Sequence, residues 1–308
     1  MATPTVAAHG RGRRGSDLWA RLTASPLILL TPAAVALAAV ALYPLIYGIR
    51  ASFTKYRYGL DLGSAGTTNY SQVFHDSTFW TAMATTGKYV GLAVAIETLL
   101  GLGLALLVSN QIRFSRFFRV GLILPMTVAP VVVGVIWRLM YASDIGVVAP
   151  LSSALGLGNL DVLANPGSAF LGVVAVDVWE WTPLLFLIIL AGLQSLPQEP
   201  LEAARVDGAG PIRLFFDHTL PLLRPVLMVA VVLRVIDAVG TFDQIYVLTK
   251  GGPGVSTQLV STYSYNTAFL FTQYGTAMAM VVALLVLVVL LTIVAIRFMR
   301  TAAMRTAS

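Results

Sequence analysis

Thr276-Ala-Met-Ala-Met-Val-Val-Ala-Leu-Leu-Val-Leu-Val-Val-Leu-Leu-Thr-Ile-Val-Ala-Ile296 carries no charged residue. About 20 apolar residues in a helix cross a ~30 Å hydrocarbon layer. This stretch therefore reads as a membrane span that ends where Arg297 begins. Five further apolar windows lie upstream, at 27–49, 82–108, 120–142, 169–193 and 225–248. The whole chain has the same character: 57% of its 308 residues are hydrophobic and 11% are charged. A soluble domain carries about 25% charged residues, so a water-soluble globule is excluded. Disorder needs the opposite composition. The absence of cysteine excludes disulfides, thiol nucleophiles and thiolate metal sites. The expected fold is an all-α integral membrane protein with six transmembrane helices.

Orientation follows from Lys and Arg, which favour cytoplasmic segments. With the N-terminus inside, thirteen of the 20 basic residues fall in inner segments. These include Arg11, Arg13, Arg14 and Arg21 in the first tail and Arg113, Arg116 and Arg119 after span two. Only Arg50, Lys55, Arg57 and Lys250 lie outside, so both termini are expected in the cytoplasm. The positive net charge of +6 then reflects topology, and no nucleic-acid partner is implied. The first window runs for about 23 residues, longer than the 7–15 of a signal sequence, and is read as a retained span. The expected organisation is a basic cytoplasmic tail over 1–25, a six-helix domain over 26–300 and a short tail over 301–308.

The loops are short. Asn69–Phe74 suggests a small surface helix before span two, and Val147–Leu157 an interfacial segment. The inner loop 194–224 is the longest on its side. There Leu201–Asp207 favours helix, Gly208 and Gly210 permit the tight backbone that ends one, and Pro211 starts another. Ile212, Phe215, Phe216 and Thr219 form an apolar stripe on that second helix. Pro221 and Pro225 are expected to reset the chain before span five. Together these make a rigid protruding knob suited to docking.

Within that loop Glu202-Ala203-Ala204, Gly208 and Leu220-Pro221 stand at the spacing of the EAA signature and resemble the permease subunits of ABC importers. The family's usual isoleucine is replaced by His218. A second block, Thr241-Phe-Asp-Gln-Ile-Tyr-Val-Leu-Thr-Lys-Gly-Gly-Pro253, resembles the sugar-importer branch of the maltose, glycerol-3-phosphate and trehalose type, and Arg234-x-x-Asp237-Ala238 fits it too. The resemblance spans about residues 26–300. It implies a type I ABC importer permease in a bacterial inner membrane, paired with a second permease subunit. It also implies two ATPase subunits docked on the knobs and an extracytoplasmic sugar-binding protein. There is no Gly-x-x-x-x-Gly-Lys-Ser/Thr loop, so ATP and magnesium would sit on the partner ATPase, with no cofactor bound by this chain. Leu201, Glu202, Ala203, Ala204, Asp207, Gly208, Ala209 and Phe215 are the expected ATPase-coupling residues. Ala203 and Ala204 would keep one helix face flat for close approach.

Ionisable groups inside spans are costly and mark cavities or partners. Arg234, Asp237 and Thr241 are spaced i, i+3, i+7 and share one helix face with Ala238. The resemblance places Arg234, Ala238 and Thr241 at the sugar site, with Glu180, Trp181 and Leu184 on span four and Met126 and Pro130 on span three. Polar groups would meet sugar hydroxyls and an aromatic face the C–H side of a ring. The plainer reading is an Arg234–Asp237 pair that neutralises itself and ties helices together. Asp177 and Glu97 suit inter-helix hydrogen bonds, and Lys88 and Arg138 suit snorkelling. Gly87-x-x-x-Gly91 offers a close-packing face.

His9, His75 and His218 lack metal-binding spacing, no Gly-x-Ser-x-Gly elbow is present, and no catalytic set is expected. Two alternatives stand beside the importer: an ion-coupled secondary transporter or channel acting without an ATPase, and a structural or signalling membrane partner.

Overall fold

A computed structural model gives the architecture for residues 26–306, apart from 58, 110–119, 157 and 159. The basic tail 1–25 and Arg113, Arg116 and Arg119 lie outside the described residues.

Helix α1 (Pro26–Ser52) belongs to a unit of its own, ending at Ala51. The second unit begins at Ser52. It opens with an antiparallel hairpin, β1 (Thr54–Arg57) and β2 (Leu60–Ser64), which the apolar patterning did not foretell. Then come α2 (Thr68–His75), α3 (Ser77–Ser109), α4 (Pro130–Tyr141), α5 (Val148–Ala154), α6 (Pro166–Gln194) and α7 (Gln198–Val206). The chain finishes with α8 (Leu220–Val239), α9 (Asp243–Thr249), α10 (Val260–Phe269) and α11 (Tyr274–Thr306). The expected small helix at 69–74 is α2, and the segment at 147–157, expected at the interface, contains α5.

Among the described residues, four helices are long and apolar enough to cross a membrane: α1, α3, α6 and α11. The windows at 120–142 and 225–248 are not single helices. In the first, residues 120–123 are helical, a 3₁₀ turn occupies Pro125–Thr127 and Ala129 is extended before α4. Pro125 and Pro130 explain the break, since neither supplies an N–H and each disfavours helix in the residue before it. In the second, α8 stops at Gly240, whose N–H turns back to the Asp237 carbonyl at 3.0 Å. α8 also carries Arg224, Arg234 and Asp237. At the far end α11 continues to Thr306, so the segment after 300 extends a helix.

Three apolar clusters hold the unit together. Tyr89, Val94, Val133, Val173, Ala238 and Ile245 join α3, α4, α6, α8 and α9. Nearer the loop 194–224, Ala105, Leu185, Phe186, Ile189, Leu223 and Ala230 join α3, α6 and α8. At the opposite end, Val73, Phe79, Val260 and Met280 join α2, α3, α10 and α11. The close approach on α3 falls at Gly101, where an added Cβ would lie 3.0 Å from the Phe186 backbone. The Gly87 and Gly91 positions face nothing within 4 Å, so that pair packs against no other described helix of this chain. Asp76 caps α3 by accepting the Thr78 N–H at 2.8 Å. The same carboxylate accepts the Tyr263 hydroxyl and fastens α10 to the start of α3. Burial, aided by Asp76, pushes the Tyr263 hydroxyl up to about 12.

Candidate functional site

The knob forms as two helical pieces. α7 buries Leu201 and Ala204 and exposes Glu202 and Ala203, and Asp207, just past its end, is exposed too. Gly208 ends it with φ +83°, a left-handed conformation that costs a residue with a Cβ ~1–2 kcal/mol. The Ala209 N–H reaches the Ala204 carbonyl at 2.9 Å and the Gly208 N–H the Arg205 carbonyl at 3.1 Å. This pair of bonds is a Schellman closure, so Ala209 belongs to the turn. Pro211 then restarts the helix, with Gly210 extended before it.

Pro221 and Pro225 do not reset the chain. Helical backbone continues from Pro211–Arg213 through a π-helical stretch, Leu214–Thr219, directly into α8. The wider π turn accommodates a ladder that Pro221 interrupts, and the Thr219 hydroxyl donates to the Leu214 carbonyl at 3.2 Å. α7 packs on this stretch. Val206 and Ile212 stay exposed, as does Phe216, whose ring meets Phe215 edge-on at 4.9 Å.

At the other end of α8 the intramembrane charges converge. The Arg234 side chain is 0% exposed. Its Nε donates to Glu97 Oε2 at 2.8 Å and its Nη2 to Glu97 Oε1 at 3.1 Å. Nη2 also reaches Asp177 Oδ2 at 2.5 Å, and Nη1 reaches Asp237 Oδ2 at 2.9 Å. The Trp181 ring covers the guanidinium at 5.2 Å. Gln244 on α9 joins by donating to Asp177 Oδ1 at 2.7 Å and to the Tyr89 hydroxyl at 3.3 Å. One cation thus clamps α3, α6 and α8, and the planar guanidinium suits the two-pronged bond to Glu97.

The expected Arg234–Asp237 pair exists, but it is the outermost arm of a larger cluster. Glu97 and Asp177, read as hydrogen-bonding residues, are its inner partners. Their signal in the sequence was their depth within apolar windows. The Arg234 side chain is covered by these partners and is not in the lining of the cavity beside it. Asp237 differs, with 49% of its side chain exposed.

A cavity of about 370 Å³ opens there, lined by Pro130, Trp181, Ile236, Asp237, Gly240, Thr241, Phe242, Asp243 and Gln244. Four expected site residues meet in it: Pro130, Trp181, Asp237 and Thr241. It exists because α8 stops at Gly240 and α4 starts at Pro130, leaving two helix ends facing one space. Gln244 Oε1 is buried without a partner. Gly134 admits α9, since a Cβ there would stand 2.9 Å from the Gln244 carbonyl. Ala238 is buried in the core instead, and Glu180 is buried with Oε2 unpartnered. Met126, in the 3₁₀ turn, and Leu184 are half-buried and outside the cavity lining. Gln244, Phe242 and Asp243 were missed as site residues, although all three fall inside the 241–253 block. Lys88 is exposed as expected. Arg138 is bound within the chain, donating to the Val247 carbonyl at 3.2 Å.

Among known proteins, the chain is 39% identical to the trehalose/maltose transport system permease protein MalF of Thermococcus litoralis over 229 residues, 74% of this chain and 77% of that one. It is 35% identical to the sulfoquinovosyl glycerol transport system permease protein SmoG of Agrobacterium fabrum over 293 residues, 94% of each. A chain of a bacterial ABC transporter that imports the polysaccharide alginate superposes with a TM-score of 0.78 at 21% identity, covering 92% of this chain and 99% of that one. The shared fold is the type I importer permease architecture expected from the EAA-like loop. Residues 97–306, which hold the loop, the charge cluster and the cavity, match one family of transport proteins across that whole length, and the chain belongs to it: the binding-protein-dependent transport system inner membrane components.

Proposed function

We propose that this chain is one half of the translocation pathway of an ATP-driven sugar importer. A second permease subunit supplies the facing wall, two ATPase subunits grip the 201–221 knobs, and an extracytoplasmic binding protein delivers the sugar. ATP and magnesium belong to the ATPases, and this chain hydrolyses nothing. Both termini lie in the cytoplasm and six segments cross the membrane, with the broken windows at 120–142 and 225–248 supplying two of them.

The observation that carries this reading is the unbroken helical backbone from Pro211 to Val239. It joins the knob to the residues beside the cavity in one piece. At 1.5 Å per residue, Pro211 and Arg234 stand about 35 Å apart along that rod, so displacement at the knob arrives at the cavity. A pathway gated only by ions needs no such lever, and membership of a binding-protein-dependent family argues against a chain working alone. Trp181 offers a ring face, and Asp237, Thr241 and Gln244 offer acceptors and donors for hydroxyls. The cavity's charged groups are Asp237 and Asp243, while the nearby cation is sealed away, so the reading favours neutral sugars over sugar phosphates or sulfonates.

The test is the complete complex in proteoliposomes. Gly208→Trp should abolish ATP-driven sugar uptake while the binding protein still docks outside. Normal uptake by that variant refutes the coupling role.

A further inference from the structure

Resting on that importer reading, we propose that four aromatic rings, Phe242, Tyr246, Tyr265 and Phe269, form a track that guides neutral sugar rings from the face opposite the knob into the cavity. Phe242 lines the cavity. Its ring stacks on Tyr246 at 5.1 Å and meets Tyr265 at 4.9 Å. Tyr265 also meets Tyr246 at 4.9 Å and Phe269 at 4.9 Å. Phe269 is 63% exposed, and the three rings behind it are half-buried.

Helical spacing builds the row. Phe242 and Tyr246 are four residues apart across the start of α9, and Tyr265 and Phe269 four apart on α10, so each pair shares a face. Ser261, one turn earlier on that face of α10, donates to the Thr241 carbonyl at 2.6 Å, which pins the inner end of α10 to the cavity rim. From Ser261 to Phe269 the helix rises about 12 Å. The outer end lies away from the knob, because α10 leads into the start of α11, which packs beside α2 and β1.

Ordinary core packing does not account for the row. Buried tyrosines find a hydrogen-bond partner, and others in this chain do so. Tyr89 pairs with Gln244, Tyr141 with the Gly172 carbonyl, Tyr70 with Ser52 and Tyr263 with Asp76. Tyr246 and Tyr265 differ: they are half-buried, and their hydroxyls bond no group among the described residues and are open to solvent rather than sealed in the core. Rigid ring faces with idle hydroxyls match the surface of a pyranose, which presents apolar C–H faces and equatorial hydroxyls. Carboxylates and amines are absent from the row, so a neutral sugar passes without being trapped by charge.

The test uses the whole complex in proteoliposomes with radiolabelled glucose, maltose, trehalose and sucrose as probes. Phe269→Leu and Tyr265→Leu remove a ring and keep apolar bulk, whereas Phe269→Tyr keeps the ring. The Leu variants should lower uptake of the transported sugar about fivefold, the scale of one lost ring-face contact. ATP hydrolysis and recovery of the second permease should be unchanged, and Phe269→Tyr should transport within about twofold of the unsubstituted complex. Because Phe269 is exposed, Phe269→Leu keeps the test valid if Tyr265→Leu fails to assemble. Unchanged uptake by Phe269→Leu overturns the track, as does loss of the second permease from that variant, which would make the row a subunit interface. Equal losses in Phe269→Leu and Phe269→Tyr overturn it too. If the unsubstituted complex takes up none of the sugars, the importer reading itself fails and the track falls with it.

Discussion

Replacing Arg234 by methionine removes the one cation from a buried site that holds two fully covered carboxylates, Glu97 and Asp177. Breaking a buried ion pair from one side costs ~3–5 kcal/mol, because a charge is left without compensation. Asp237 adds little to this figure, since its half-exposed carboxylate can turn to water and exposed pairs are worth ~0–1 kcal/mol. A shift of ~2–4 °C per kcal/mol in a chain of this size puts the loss in Tm on the order of 10 °C. The assay is thermal unfolding of the purified complex in detergent, followed by tryptophan fluorescence. The triple variant Glu97→Gln, Asp177→Asn, Arg234→Met removes the charges together and should recover most of that loss, since replacing a whole buried ion set is often nearly neutral. An R234M complex that unfolds within a degree or two of the unsubstituted one would refute the clamp. So would a triple variant no more stable than R234M.

Gly208→Ala tests the turn apart from the docking surface. Nothing lies within 4 Å of the position a Cβ would take, so its cost is backbone strain alone, ~1–2 kcal/mol, with reduced rather than abolished ATP-driven uptake. Gly134→Ala should push α9 from α4 and move Gln244, costing ~1–3 kcal/mol and lowering uptake; melting and transport of the same preparation measure both. Asp237→Asn keeps shape and removes the cavity's inner charge, and competition assays should show sugar phosphates gaining as inhibitors relative to neutral sugars. Tyr263→Phe removes the bond to Asp76 and should cost about 1 kcal/mol. In the unsubstituted protein the Tyr263 group favours folding at neutral pH. Its hydroxyl ionises only near 12 against about 10 when unfolded, so that contribution fades as pH rises from 10 to 12, which melting curves on the two proteins would register.

Continuous apolar windows were legible as helices because one local property, length without charge, decides them: 27–49, 82–108, 169–193 and 276–297 became α1, α3, α6 and α11. The windows at 120–142 and 225–248 hide their breaks for the same reason. Their average apolarity hides Pro125, Pro130 and Gly240, where the backbone ladder stops. The i, i+3, i+7 spacing found Asp237 and Thr241 at the cavity, but spacing on one helix cannot report what faces it from another. The tie from Arg234 to Glu97, 137 residues away in sequence, was therefore invisible from α8 alone. The proline pair at 221 and 225 was read as a break because isolated prolines usually end helices. The π stretch accommodates Pro221, Pro225 is carried inside α8, and no local pattern announces either.

The position of the clamp along α8 then bears on how a lever of this kind works. Arg234 sits less than two turns from Gly240, where α8 ends, while the knob feeds the opposite end. A rod driven at one end and free at the other would bend or slide past its neighbours. Tied near its far end to Glu97 on α3 and Asp177 on α6, it carries those helices with it as one body. Asp177 also holds Gln244, so α9 and the cavity wall are drawn along by the same charges. On this reading the costly buried ions are placed where the proposed alternation needs rigidity, and softening them should uncouple ATP hydrolysis from uptake before it destroys assembly. Glu97→Gln, which keeps the shape and leaves Asp177 and Asp237 on the guanidinium, is the mild lesion for that purpose. Its complex should still hydrolyse ATP while importing less sugar per ATP, and an unchanged ratio would mean that the helices move together without the clamp.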